Sequence, residues 1–177
     1  DAHEPGAHRV LGVAYAQQGV AQGEAALRAL AAHPSTARFI ATKLARHFLA
    51  DEPPPAVVAR LADAFSRSDG DLPTVYAALI DSPEAWQAQF AKFRTPGDYV
   101  FAAWRALEIP VGNGRAAIAP FELLGQRCFQ PGSPAGWPDR SADWDASSAL
   151  MKRLEWAQQL GQRLGAQHNA VELAIAS

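Results

Sequence analysis

Prolines placed at helix starts constrain this chain more than any other feature. Thr95-Pro96-Gly97-Asp98 and Ser82-Pro83-Glu84 each join a capping residue to a proline at the first helical position and an acid in the first turn. Proline is tolerated there because its missing N–H has no intrahelical partner to lose, and the acid suits the positive end of the helix dipole. Asp71, two residues before Pro73, has the same capping capacity. His33-Pro34-Ser35 breaks one helix and opens the next, because the residue before a proline is pushed out of the α region. Asp51 to Pro55, DEPPP, is a stiff connector whose last proline fits a first turn.

Between these marks the apolar residues repeat at helical spacing. The expected helices run from about Glu24 to Ala32, to about Leu49, from Pro55 to about Ser68, and from Asp71 with Val75, Leu79 and Ile80 inward. Others follow from Ser82 through Trp86 to about Phe93, from Thr95 with Val100, Ala103, Trp104 and Leu107 as one stripe, and over Pro120 to Gln126. A last helix spans Ser147 to about Leu164, with Leu150, Leu154, Ala157 and Leu164 inward and Gly165 as its stop. In the third helix Val57, Val58, Leu61 and Phe65 mark the buried face. Residues 1 to 23 read as loop with a short extended piece. No segment shows a convincing alternation of period two, so the predicted fold is all-α: one compact domain over 1–177 with about seven or eight helices. At 177 residues a chain buries roughly 70% of its unfolded surface without staples.

The balance of sixteen basic against eighteen acidic residues argues against a phosphate-binding surface, so nucleic acid is not an expected partner. No apolar run approaches the roughly 20 residues a bilayer span needs, so no transmembrane segment is expected. Cys128 is the only cysteine, which excludes an internal disulfide and paired-cysteine metal ligation. His3 and His8, with Glu4 between them, have metal-binding composition but no third ligand nearby, so no metal is expected. Neither a Gly-x-Ser-x-Gly elbow nor a phosphate-binding Gly-rich loop is present, and no cofactor is expected. The paired acids Asp51-Glu52, Asp69 with Asp71, and Asp143 with Asp145 all fall where Asp favours turns.

Two features remain as candidate sites. On a helical wheel, Ala37, Ile40, Ala41, Leu44, Ala45 and Phe48 share one side of the second helix. Phe39 falls on the other, among Arg38, Thr42, Lys43, Arg46 and His47. Either Phe39 is a partly exposed ring with cationic neighbours laid along it, or the helix is covered on both sides, which would make Phe39, Arg38, Lys43 and Arg46 partner-facing. The second feature is the aperiodic stretch RCFQPGSPAGWPDRSADWD, Arg127 to Asp145, longer than ordinary loops. Trp137 and Trp144, with Asp139 and Arg140 between them, can form an aromatic platform for a carbohydrate or a protein ligand, or can pin the loop to its own core.

HEPGAHRVLG, HPSTARFIATKLARHF, DEPPPAVVARLADAFSRSDGDL, DSPEAW and GQRCFQPGSPAGWPDRSADW resemble, in order and over nearly all of the chain, the C-terminal part of the bacterial family known as domain of unknown function 1800. Asp139-Arg140-Ser141 departs from that family's usual glycines. The resemblance implies a longer bacterial protein with its own N-terminal helical portion and often an export signal. A chain beginning at Asp1 agrees with a fragment. The implied setting is periplasmic or extracellular, and the implied partner is the missing N-terminal portion. The family supplies no reaction. The expected role is a non-catalytic scaffold or binding module; the alternative is one wall of a hydrolase site completed by the missing portion.

Overall fold

A computed structural model describes residues 6–87, 92–112 and 114–165. The chain forms two compact units, Asp1–Gln89 and Phe90–Ser177. It is mostly helical, with seven α-helices among the described residues.

The first unit opens with a hairpin, β1 (His8–Val10) and β2 (Val13–Tyr15), paired antiparallel with His8 opposite Tyr15. Its two-residue turn, Leu11-Gly12, takes positive φ at both positions, the twist that suits a tight hairpin. The pair is too short for a period of two to register in the sequence. Helices α1 (Val20–Ala31), α2 (Pro34–Phe48), α3 (Pro55–Arg67) and α4 (Leu72–Ile80) follow. Helix α1 starts before Glu24, and its buried Gln22 ties it to the hairpin by donating from Nε2 to the Tyr15 carbonyl at 2.7 Å and the Gly6 carbonyl at 2.9 Å.

The proline starts work as their chemistry requires. His33 Nδ1 accepts from the Ser35 amide at 3.1 Å. Asp71 Oδ2 accepts from the Thr74 amide at 2.9 Å and the Thr74 hydroxyl at 2.6 Å. Ser82 is the exception. Its hydroxyl donates to the Ala78 carbonyl at 2.7 Å and accepts from Arg60 Nη1 at 2.7 Å, so it caps nothing. Only one 3-10 turn, Pro83–Trp86, forms where a helix to about Phe93 was expected; 88–91 lie outside the described residues.

Three alanines set the core of this unit. Ala37, Ala41 and Ala45 are buried along α2, and their small size lets α3 approach closely with Val57, Val58, Leu61 and Phe65; Val75 and Leu79 of α4 complete the cluster. Ile80 turns outward instead, a correction to the expected inner face of α4. Ala41→Leu is expected to overpack this contact and cost about 1–3 kcal/mol, read as a lower urea midpoint with an unchanged slope.

Arg60 also grips Glu84, donating from Nη1 to Oε2 at 3.1 Å and from Nη2 to Oε1 at 3.3 Å. That hydrogen-bonded guanidinium holds the Glu84 carboxyl below its usual range, and the Thr74 hydroxyl does the same for Asp71. Carboxyls depressed in the folded state stabilise it fully above their unfolded pKa, and that contribution is lost as pH falls through the folded values. Unfolding free energy is therefore expected to decline with acid below about pH 4, and Glu84→Gln to shrink the decline. An acid limb identical in the variant and the parent would show the pair to be inert.

The second unit holds α5 (Pro96–Ala106), α6 (Arg115–Leu123), a 3-10 turn Ser141–Asp143, and α7 (Ser147–Leu164), which stops at Gly165 with positive φ. The Thr95 hydroxyl accepts from the Asp98 amide at 3.2 Å and donates to the Asp98 carboxylate at 2.8 Å, a reciprocal start to α5. Helix α6 begins earlier than the expected Pro120 and carries that proline inside it. Val100, Phe121, Leu124 and Trp156 form the core, with Tyr99, Trp104 and Leu160 packed against it.

Helix α7 is rotated from its expected pose. Arg153 and Trp156 face inward, while Leu150 and Leu154 are exposed, the latter at 65%. Only 8% exposed, the Arg153 guanidinium lies 4.3 Å from the Phe93 ring centroid and 5.2 Å from that of Tyr99, and donates from Nη2 to the Arg94 carbonyl at 2.8 Å. Trp156 meets Tyr99 edge-on at 5.3 Å. These ring contacts favour a face one residue away from the leucine stripe.

Candidate functional site

An open groove of about 670 Å³ lies within the second unit. Helix α5 supplies Phe101 and Trp104, α6 supplies Ile118 and Phe121, and the long loop supplies Phe129 and Trp137. The rings form a continuous system: Phe101 to Phe121 at 5.3 Å, Phe101 to Trp104 at 5.8 Å, and Trp104 to Phe121 at 5.9 Å between centroids. Phe121 is buried, so the apolar core runs unbroken into the groove wall.

The loop from Arg127 to Asp145 is held by several local devices. Trp144, at 7% exposure, donates from Nε1 to the Pro138 carbonyl at 3.1 Å. The Phe93 amide donates to the Ser141 hydroxyl at 3.1 Å, and Lys92 Nζ donates to the Asp139 carbonyl. Gly136, with φ of 89°, turns the chain into Trp137. Within the groove lining, the Gly97 amide donates to Gln126 Oε1 at 2.6 Å, joining the start of α5 to the start of the loop. Phe129, also in the lining, has positive φ and a fully exposed side chain, although a bulky residue in the left-handed region costs roughly 1–3 kcal/mol.

The two indoles expected to form a platform lie 6.1 Å apart and 50° from parallel. Trp144 is committed to the core, which leaves Trp137 alone to offer a face to the groove. Asp139 is half-buried with its backbone carbonyl engaged by Lys92, and Arg140 is exposed; neither lines the groove. Phe101 and Phe129 were missed. Phe101 precedes Trp104 by one helical turn, and an aromatic between Cys128 and Gln130 in an aperiodic stretch was the only sign of Phe129.

In the first unit, Phe39 is 61% exposed beside exposed Arg38 and Lys43, while Arg46 Nε donates to the Asp51 carbonyl at 2.9 Å. The apolar hollow there is lined from α2 by Leu44 and Phe48 rather than Phe39; with Tyr76, Ile80 and Trp86 they enclose about 550 Å³. Among the described residues, no three His, Cys, Asp or Glu side chains come together as a metal site, and His3 lies outside them. No helix among the described residues is long and apolar enough to cross a membrane.

The fold is that of a mostly helical protein whose most elaborated surface is an aromatic groove. The chain belongs to the family described as Protein of unknown function (DUF1800), which it matches over residues 1–176. No curated protein and no solved structure matches it.

Pinning and binding separate by mutation. Trp144→Ala is expected to cost roughly 3–5 kcal/mol in stability, whereas Trp137→Ala is expected to cost less than about 1 kcal/mol, as befits a half-exposed ring. Paired thermal and denaturant unfolding measures both.

Proposed function

We propose that this protein is a non-catalytic scaffold or binding module of an exported bacterial protein, with the aromatic groove of the second unit as its binding surface. The observation that supports this most is Phe129, a large apolar ring held fully in solvent on the wall of a groove continuous with the core. Apolar concavities of roughly 300–1,000 Å³ with a few polar groups are the usual form of ligand sites.

Among the described residues, Arg60, Asp71, Glu84 and Arg153 have displaced proton affinities; they are engaged in a cap, an ion pair and ring stacking, and none lines the groove. Of the acids there, Asp98 is bound to Thr95 at the start of α5.

A neutral dye that fluoresces in apolar surroundings tests the reading. Saturable binding by the folded protein is expected, weakened at least fivefold by Phe129→Ala combined with Phe101→Ala at unchanged helical circular dichroism. Absence of binding by the parent protein would overturn it.

A further inference from the structure

We infer that the aromatic groove of the second unit takes an uncharged, proline-rich peptide segment in the polyproline II conformation; this rests on the reading of the groove as a binding surface. Two charged residues line it, Asp98 and Arg127, and they cancel in formal charge, so the lining gives an ionic occupant no net attraction. Its neutral polar side chains are one-sided. Trp104 and Trp137 are half-buried, and neither indole N–H has a hydrogen-bond partner among the described residues. No buried side-chain nitrogen among those residues lacks a partner, so both N–H groups are open to solvent. The one neutral side-chain oxygen of the lining, Gln126 Oε1, already accepts from the Gly97 amide, while Gln126 Nε2 has no acceptor among the described residues. The Asp98 carboxylate is engaged by the Thr95 hydroxyl. The groove therefore offers rings and neutral donors, with its side-chain oxygens occupied. A complementary chain brings apolar rings and carbonyls but few N–H groups, since a donor buried without an acceptor costs roughly 1–3 kcal/mol. Proline-rich segments have that composition: proline lacks the N–H, and polyproline II leaves its carbonyls without internal hydrogen bonds. Aromatic-lined grooves take such segments because their conformation is set before binding. A saccharide fits less well, because each of its hydroxyls donates as well as accepts.

The test is calorimetric titration with capped octaproline, beside a capped glycine-serine octapeptide and a neutral oligosaccharide, maltotetraose. Octaproline is expected to bind at least tenfold more tightly than either, with an affinity that raised ionic strength leaves unchanged. Trp137→Phe keeps a ring but removes the donor, so it should weaken octaproline roughly fivefold, as for the loss of one hydrogen bond, while binding of the neutral dye stays within twofold. Trp104→Phe should act in the same way, and helical circular dichroism checks that both variants fold. Dye binding without octaproline binding, tighter binding of the saccharide, or octaproline affinity unchanged in both variants overturns this assignment while leaving the binding reading intact. If neither the neutral dye nor octaproline binds, both readings fall together.

Discussion

Arg153 carries a charge into an interior that gives it little water, and the second unit is arranged around meeting that demand. Burial holds its pKa below the ordinary guanidinium value, the Tyr99 ring partly opposing this. The flat cation is accommodated by aromatic rings and one backbone carbonyl. Such contacts are worth more when desolvated. They fix the rotation of α7, bring Trp156 against Tyr99, and so complete the core from which the groove wall of Trp104 and Phe121 extends.

The same rotation accounts for what was and was not legible in the sequence. Caps and prolines act over three or four residues, so the starts at Pro34, Pro55, Asp71 and Thr95 could be read directly. The α3 stripe was readable because its aliphatic residues have no competing use. For α7, a hydropathy stripe pointed to Leu150 and Leu154, yet the buried face is one that a hydropathy scale ranks lower, since it contains an arginine. What decides that face is a pair of rings supplied from Phe93 and Tyr99, distant in sequence. Ser82 failed as a cap for a related reason: Arg60, twenty-two residues earlier, takes its hydroxyl into a different network.

The candidate site was half legible. An aperiodic stretch containing two tryptophans pointed to the loop that lines the groove, because long loops without structure of their own are unusual unless they serve a purpose. The division of labour between the indoles was hidden, since it depends on the Trp144 hydrogen bond to Pro138 and on how the loop lies against its own unit. On α2, Phe39, Arg38 and Lys43 are exposed and Arg46 is half-buried, while the apolar hollow beside that helix gathers around Phe48, on the side the wheel had assigned inward. Phe48 projects where α4 and the Pro83–Trp86 turn leave space, and a wheel has no knowledge of such gaps.

Cys128 lines the groove, and it is the single thiol in the chain. The protein therefore carries a built-in chemical handle beside the aromatic wall. A small thiol-reactive fluorophore or spin label attached to the unaltered polypeptide would report from one defined place, and ligand entry would be visible as a change in that reporter's surroundings without any engineered residue.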